Sequence, residues 1–261
     1  MKDNSIVLFF FLSFLFFACT QPSGSNNKKQ VVILISKCKS DSSYRNWLKR
    51  FENNIRTVDI YSSSRDSLDH YLAMASGILI SGGKDIAPDK YGKGDEVARC
   101  GKIDLRRDSI DLKMIMYGME HKVPMLGICR GLQFMNVANK GTLIIDIPTD
   151  FDSMIQHRGN VEHWVKLEMG SQLYSMCLVD SSIVISNHHQ GIDRIASIFK
   201  AVAYSPDGLI EAIELIDNST HPFLFGVQFH PERVGEDNKL SNGIGNEFLQ
   251  QITFFQKSMS H

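Results

Sequence analysis

Hydrophobic and polar positions form two kinds of segment along residues 31–257. Short, largely apolar runs cover residues 31–36, 77–81, 123–128 and 223–229, and such runs are typical of strands buried on both faces. Between them, apolar residues recur at three- and four-residue spacings, which indicates amphipathic helices. Strands that alternate with helices predict an α/β fold with a mainly parallel central sheet.

Two helices and a hairpin can be predicted in more detail. Residues 108–120 are expected to form an amphipathic helix that Asp108 caps. Residues 243–257 are expected to form the closing helix. Residues 201–214 predict a β-hairpin that turns at residues 205–208, Ser-Pro-Asp-Gly. The apolar face of the first helix is expected to hold Leu112, Ile115, Met116 and Met119.

The N-terminal segment has a different character. Residues 6–18 are an almost unbroken apolar run that ends before Cys19, which is short for a membrane span but suits a signal peptide. Residues 1–18 therefore resemble a bacterial lipoprotein signal, with Cys19 as the lipidated residue and residues 19–30 as a polar tether. We expect export to the cell envelope, with a membrane-anchored domain at residues 31–261 facing the periplasm. An ordinary cleaved signal and an uncleaved anchor are the alternatives.

Composition narrows the classes of partner. The chain has 261 residues, of which 43% are hydrophobic, enough for one substantial core. A formal net charge of -1 provides no field for a polyanion, so no nucleic-acid partner is expected. The five cysteines form no CxxC pair, so we expect no metal site and no cofactor. The sequence does not define an oligomeric state, and a homodimer is one option.

A candidate nucleophile lies at the end of the third apolar run. Cys129 is flanked by Gly127 and Gly131, two residues away on either side, and the residues that follow suit a helix. This pattern predicts a sharp strand-to-helix turn, in which glycines keep side chains from colliding. The positive end of the helix would favour a thiolate at Cys129. A buried structural cysteine between two glycines is the alternative.

A candidate base follows the last apolar run. His230 and Glu232 are two residues apart at a predicted strand end, so their side chains are expected to project to one side. A carboxylate in this position can fix the imidazole tautomer and stabilise its charged form. Other histidines could also serve as the base, but they lack such a carboxylate two residues away in the sequence. They are His157, His163, His188 and His189.

Several motifs together resemble a known family. The sequences GICRGLQ, SGGKD and FGVQFHPE resemble the class I glutamine amidotransferase-like fold, which implies a three-layer, flavodoxin-like α/β sandwich. The sequences RRDSIDLK, NVANKGTLIIDIP, NHHQ and SPDGLIEAIE resemble the gamma-glutamyl hydrolase branch, specifically the gamma-glutamyl-gamma-aminobutyrate hydrolase-like group.

The resemblance implies roles for particular residues. It implies a catalytic triad of Cys129, His230 and Glu232. It also implies that the backbone N–H groups of Gly83 and Arg130 hold the oxyanion. Gln133 and the backbone around His188 and His189 match positions that hold the glutamyl portion in relatives.

The resemblance also implies the reaction. We expect a cysteine-dependent hydrolase that cleaves a gamma-glutamyl amide in a small molecule through a gamma-glutamyl thioester. Two alternatives remain: a glutaminase component that supplies ammonia to a partner, and a non-catalytic gamma-glutamyl-binding lipoprotein. Ile185 stands where an asparagine often precedes the histidine pair in relatives, which leaves the substrate open.

Overall fold

The computed structural model describes residues 30–38, 40–151 and 154–259. The predicted signal peptide, residues 1–18, lies outside the described residues, as do Cys19 and the tether up to residue 29. Export, lipidation and membrane anchoring therefore stay predictions. Within the described residues, no helix combines the length and the hydrophobicity that a membrane span needs.

The elements follow one another as strands, α-helices and short 3-10 helices. The strands are β1 Val31–Ile35, β2 Ile55–Asp59, β3 Gly77–Ile80, β4 Met125–Ile128, β5 Leu143–Ile144, β6 Val161–Leu167, β7 Ser181–Ser186, β8 Gly191–Ile192, β9 Phe199–Tyr204, β10 Ile210–Leu215 and β11 Leu224–Val227. The α-helices are α1 Ser43–Lys49, α2 Leu68–Met74, α3 Leu105–Glu120, α4 Arg130–Ala138, α5 Ile147–Asp150, α6 Gln172–Cys177 and α7 Lys239–Ser258. The 3-10 helices are Arg65–Ser67, Pro88–Tyr91, Gly94–Arg99 and Pro231–Arg233.

The described strands build one large mixed sheet and one small sheet. The large sheet has the order β2-β1-β3-β4-β11-β10-β9-β6-β7, and β5 pairs with β8 in the small one. Strands β2, β1, β3, β4 and β11 are parallel, whereas β10, β9, β6 and β7 add antiparallel pairs. The predicted hairpin is confirmed as β9 and β10. The carboxyl ends of the parallel strands define the edge where sites of open α/β sheets lie.

Helices cover both faces of the sheet, so the predicted three-layer sandwich is confirmed. Strand β1 shows why: Ile33 packs in one core with Trp47 of α1 and Phe248 of α7. Its neighbour Leu34 packs in the opposite core, which includes Leu132 of α4. Side chains alternate between the faces of a strand, so a strand covered on both faces has no polar position. Each such buried side chain contributes about 1.5–3 kcal/mol to folding.

The predicted start of α3 was wrong. The helix begins at Leu105, and Asp104 caps it by accepting a hydrogen bond from the Arg107 N–H at 3.1 Å. Asp108 lies inside the first turn with no exposed surface, where its carboxylate accepts the Ala87 N–H at 3.1 Å. Asp104 and Asp108 both suit a helix start by residue type, and the contact with Arg107 identifies the cap.

The predicted apolar face of α3 was also largely wrong. Ile115 is buried, but Leu112 and Met116 are 38% and 54% exposed. The face that points inward carries Asp111, which forms ion pairs with Arg107 of the same helix and with Arg130 of α4. Periodicity alone could not reveal this face because its polar residues are buried through charge pairing.

Four of the five cysteines fall within the described residues. Cys38, Cys100, Cys129 and Cys177 are all free thiols there. No disulfide therefore closes within the described part of the chain. The fold depends on its two cores and on the buried ion pairs.

Candidate active site

Cys129 lies at the turn between β4 and α4 in a strained backbone conformation. Its φ of 55° and ψ of -108° lie in a region that non-glycine residues rarely adopt, at a cost of about 1–3 kcal/mol. The Cys129 N–H donates to the Val227 carbonyl of β11 at 2.7 Å, which anchors the turn to the neighbouring strand. The side chain is 5% exposed. The predicted sharp turn is confirmed.

The two flanking glycines are required by close approach of the backbone. A Cβ at Gly131 would lie 1.9 Å from the Ile80 carbonyl oxygen of β3, and one at Gly127 would lie 2.5 Å from the Met135 sulfur. Both distances are far inside van der Waals contact. Any side chain at Gly131 must therefore push α4 away from β3 and displace Cys129.

The start of α4 and the loop after β3 supply unpaired backbone donors. Gly82 and Gly83 follow β3, and the Gly82 N–H donates to the Tyr44 hydroxyl at 3.0 Å. Within the described residues, the N–H groups of Gly83 and Arg130 make no hydrogen bond. Gly83 packs on Arg130, because a Cβ at Gly83 would lie 3.2 Å from the Arg130 Cδ. Gly83 and the Arg130 side chain are thus in contact, and neither of the two predicted oxyanion donors is used by another group of the described structure.

His230 and Glu232 form a buried hydrogen-bonded pair after β11. His230 Nδ1 lies 2.8 Å from Glu232 Oε1, and the two side chains are 3% and 0% exposed. The His230 N–H donates to the Ile185 carbonyl at 2.9 Å, which fixes the backbone at the end of β7. Because an ionised carboxylate only accepts hydrogen bonds, Nδ1 carries a proton, and Nε2 is the nitrogen that can exchange a proton with a thiol.

Cys129 and His230 converge beside Gly82. A Cβ at Gly82 would lie 3.1 Å from the His230 Cε1 and 3.6 Å from the Cys129 Cβ, so both side chains border this glycine. The structure therefore brings the three predicted triad residues together, although they come from two distant parts of the chain.

Electrostatics within the triad favour an ion pair. Burial disfavours a charged imidazole, but the negative charges of Glu232 and of the Cys129 thiolate outweigh it and raise the pKa of His230. Burial likewise opposes ionisation of Glu232, yet the charge of His230 holds the pKa of that carboxyl below its usual range. Both shifts favour a charged His230 beside an ionised Glu232.

A buried charge network supports the elbow from the α3 side. The Arg130 guanidinium contacts the carboxylates of Asp108 and Asp111, and these three side chains are at most 2% exposed. Arg107 joins the network through Asp111 at 2.7 Å and reaches the Ser81 carbonyl, at the end of β3, at 2.9 Å. The network thus ties the loop after β3 to the first residue of α4. Charges buried in this way need all their partners.

The residues predicted to bind the glutamyl group differ in their surroundings. Gln133 is buried, and its Nε2 donates to the Gln190 carbonyl at 2.8 Å and to Gln228 Oε1 at 3.1 Å. His188 is buried, and burial lowers its pKa to about 4. His189 lies between the carboxylates of Asp85 and Asp146, at 2.9 and 3.1 Å. The hydrogen bond to Asp85 raises the pKa of His189.

Two cavities border the residues of the site. One of about 390 Å³ has Gly82, Gly83 and Arg107 in its wall. Another of about 340 Å³ is lined by His188 and His189 together with residues 154–158. Either volume suits a small molecule of the size of an amino-acid conjugate.

Sequence reasoning missed two kinds of functional residue. The helical pattern assigns Tyr44 only to a helix, yet its hydroxyl accepts the Gly82 N–H. The Arg107 and Asp111 pair was not identified as support for the elbow. Their i, i+4 spacing of opposite charges was a usable signal, but such pairs are usually exposed. Nothing in the local sequence indicated that this one is buried.

Comparisons with solved structures define the fold. A Thermoplasma acidophilum protein, described as a candidate subunit of GMP synthase, is 18% identical, with a TM-score of 0.64 over 89% of this chain and 98% of that one. The glutaminase domain of a Trypanosoma brucei CTPS is 14% identical, with a TM-score of 0.60 over 85% and 93%. The fold is that of the class I glutamine amidotransferases, as the sequence predicted.

The family follows from the sequence comparisons. The family model of peptidase C26 matches residues 38–232, so the chain belongs to the peptidase C26 family. Protein NtpR of Enterococcus hirae is 31% identical over 196 residues, which cover 73% of this chain and 80% of that protein. The gamma-glutamyl-gamma-aminobutyrate hydrolase PuuD of Escherichia coli is 31% identical over 195 residues, which cover 70% and 74%.

Proposed function

We propose that this protein hydrolyses a gamma-glutamyl amide through a thioester on Cys129. The observation that carries the proposal is the strained turn that presents Cys129 beside a buried His230, which is itself paired with Glu232 at 2.8 Å. A nucleophile, a base and a group that orients the base are the three parts of covalent acyl transfer. Membership of peptidase C26 and the hydrolase among the relatives support the same reaction class.

The first half of the reaction forms the thioester. In the resting state of this mechanism, His230 Nε2 already carries the thiol proton, and the Cys129 thiolate attacks the amide carbonyl carbon. The negative oxygen of the tetrahedral intermediate accepts hydrogen bonds from the Gly83 and Arg130 N–H groups. The intermediate collapses when the C–N bond breaks, and the leaving amine takes the proton from His230. A free amine and a gamma-glutamyl thioester result.

The second half of the reaction consumes one water. His230, now neutral, removes a proton from the water as its oxygen attacks the thioester carbonyl. The same two N–H groups hold the second oxyanion. Breaking the C–S bond releases glutamate, and the thiolate and charged imidazole are restored together. Glu232 stays ionised throughout and stabilises His230 whenever it is charged.

The substrate class rests on the relatives and on the size of the site. The name of the Escherichia coli relative specifies gamma-glutamyl-gamma-aminobutyrate, and we propose a small gamma-glutamyl compound of that kind here. His189 lies between Asp85 and Asp146 in the wall of one cavity. Two carboxylates beside one imidazolium leave a net negative charge there, which favours a substrate that carries an ammonium group near this cavity.

The test is amine release from a panel of gamma-glutamyl compounds and glutamine. Wild-type protein is compared with Cys129→Ala, and Cys177→Ala serves as a matched control because that thiol is buried in α6 and donates to the Leu173 carbonyl. We expect turnover by wild type and by Cys177→Ala, and none by Cys129→Ala. Acid quenching and intact mass measurement should detect the thioester on Cys129.

The outcomes separate the alternatives. Turnover that survives in Cys129→Ala would contradict the proposed mechanism. Turnover of glutamine alone would favour a glutaminase component. Binding of gamma-glutamyl compounds without turnover, with no labelling of Cys129 by an electrophilic glutamine analogue, would favour the binding lipoprotein.

A further inference from the structure

A second group of histidines lies next to the triad and takes no part in the proposed mechanism. His157, His163, His188 and Glu211 are all buried, and one ligand atom from each lies within 4.8 Å of the others. They come from the segment before β6, from β6, from the segment after β7 and from β10. We call these four residues the His3Glu cluster.

Hydrogen bonds behind the cluster fix the tautomer of two rings without ambiguity. His188 Nδ1 lies 3.0 Å from the Gln190 carbonyl, and His163 Nδ1 lies 2.9 Å from the Trp164 carbonyl. A carbonyl oxygen can only accept, so both Nδ1 atoms carry hydrogen. In the neutral rings, the lone pairs are therefore on the Nε2 atoms, which face into the cluster.

The third ring is oriented by a carboxylate. His157 Nε2 lies 2.8 Å from Asp207 Oδ2, so this nitrogen donates and His157 Nδ1 keeps the lone pair. A histidine that donates one ring N–H to a carboxylate or a carbonyl while its other nitrogen faces inward is the arrangement found behind metal ligands. All three rings of the cluster have it.

The inward nitrogens converge on one carboxylate oxygen. Glu211 Oε1 lies 3.6 Å from His157 Nδ1, 3.6 Å from His163 Nε2 and 3.7 Å from His188 Nε2. These distances are too long for hydrogen bonds. They are close to the separation of about 3.4 Å expected between ligands on a tetrahedral ion with bonds of about 2.0–2.1 Å. Small side-chain rotations would place all four atoms around one ion.

Three of the four inward-facing groups lack a hydrogen-bond partner in the described structure. His157 Nδ1, His188 Nε2 and both oxygens of Glu211 are buried without a hydrogen bond in the described structure. His163 Nε2 does have one, to the Ser186 hydroxyl at 2.6 Å. A proton on Glu211 could serve only one of the lone pairs, and buried unpaired acceptors are costly. A cation is the group that would satisfy all of them at once.

We propose that His157, His163, His188 and Glu211 bind a divalent transition-metal ion, with zinc as the best match. Three imidazoles and one carboxylate are borderline ligands that suit zinc and disfavour calcium or magnesium. Four protein ligands complete a tetrahedral shell, so the ion is structural and does not activate water. The expectation of no metal site rested on cysteine spacing and did not consider histidines from separate strands.

The ion would join elements that also position the triad. The Gln190 carbonyl accepts from both His188 and Gln133, so the cluster and the elbow helix α4 share one acceptor. The Glu211 carbonyl accepts the Gln228 N–H at 2.8 Å, just before His230. The metal therefore fixes β6, β10 and the segment after β7 against the sheet edge that carries the site.

The test measures zinc binding directly on the full-length chain. Protein carrying Cys129→Ala, which removes the nucleophilic thiol as a competing ligand, is stripped with a chelator and titrated with zinc in a calorimeter. We expect one zinc per chain. Adding Glu211→Gln should weaken binding more than about 100-fold, and adding Asp207→Asn, behind His157, about 10- to 100-fold. His70→Gln, at an exposed histidine, should change nothing.

Cobalt binding and thermal unfolding are two further readouts. Both use the Cys129→Ala protein, which keeps all four cluster residues, so neither requires a cluster variant to fold. Cobalt bound to the Cys129→Ala protein should give the strong visible bands of a tetrahedral site without thiolate charge transfer. Zinc should raise the unfolding temperature of that protein. No zinc bound at micromolar concentration, or equal affinity in Glu211→Gln and His70→Gln, would overturn the proposal.

Discussion

Two histidine-carboxylate groups flank the end of β11, and they differ in the distance between their charged atoms. His230 and Glu232 are in direct contact at 2.8 Å. Glu211 stands 3.6–3.7 Å from three ring nitrogens and bonds to none of them. The pKa of Glu232 is lowered by its partner, whereas burial raises that of Glu211 to about 7.

His230 and Glu232 satisfy each other by a hydrogen bond, whereas the His3Glu cluster leaves buried acceptors without a donor. In the triad, the carboxylate and the imidazole satisfy each other, and Nε2 is left to exchange a proton with the thiol. In the His3Glu cluster, the lone pairs of His157 Nδ1 and His188 Nε2 and both Glu211 oxygens have no donor in the described structure. Burial is similar in both groups, so burial alone does not identify the chemistry; the direction of the lone pairs does.

Breaking the close pair should have the largest effect. Glu232→Gln keeps the size of the side chain but removes the charge that stabilises the His230 imidazolium. We expect kcat for amine release to fall about 10⁴-fold. Steady-state kinetics on the best substrate of the panel would measure it. Glu236→Gln, whose side chain is 85% exposed, is the control and should retain wild-type kcat.

The pH dependence of stability provides an independent readout of the same substitution. The lowered pKa of Glu232 stabilises the fold above pH 4.5, and this contribution is lost as pH falls further. The raised pKa of His230 stabilises it below pH 6.5, and this contribution is lost as pH rises. The gap in unfolding free energy between wild type and Glu232→Gln should therefore be widest between pH 4.5 and 6.5. A gap that is constant with pH would argue against a charged pair.

The next largest effect is a loss of unfolding free energy, which we compare between two buried carboxylates. Asp111 pairs with two guanidinium groups, so Asp111→Asn should destabilise the fold by about 3–5 kcal/mol in urea denaturation. Glu211→Gln, measured in chelator, should cost less than about 1 kcal/mol because no hydrogen bond is lost. Asp69→Asn is the exposed control, with an expected change below about 1 kcal/mol. Equal costs for Asp111 and Glu211 would remove the distinction between them.

The smallest expected effect concerns the oxyanion loop. Tyr44→Phe removes the hydroxyl that accepts the Gly82 N–H. We expect a loss of about 1 kcal/mol in stability and a decrease of about fivefold in kcat as the loop loosens. Tyr204→Phe is the control, since Tyr204 lies in β9 and is only partly buried. A kcat unchanged by Tyr44→Phe would show that the loop is held by the charge network alone.

Features encoded by local sequence could be predicted. The apolar runs of β1 and β4 and the Gly-x-Cys-x-Gly turn after β4 depend on neighbours in the chain, and the structure confirms them. The pairing of His230 with Glu232 was also predictable because both lie at one strand end. The catalytic roles of the triad and the glutamyl-binding roles of Gln133, His188 and His189 stay predictions.

Features that depend on tertiary contacts could not be predicted. Strand β6 was not recognised, because it buries His163 and leaves Trp164 54% exposed, which inverts the usual pattern. The inward face of α3 was missed for the same reason: its charged residues find partners only in the folded chain. The His3Glu cluster assembles from separate segments, and no spacing rule links them.

The shared carbonyl of Gln190 has a consequence for protein engineering. One oxygen serves Gln133 on the elbow helix and His188 in the cluster, so the two groups cannot be redesigned as independent modules. A library that varies residues 187–190 to change substrate preference would at the same time select for variants that keep metal affinity. Screening such a library in zinc-supplemented and in chelated medium would show how far the two traits constrain each other.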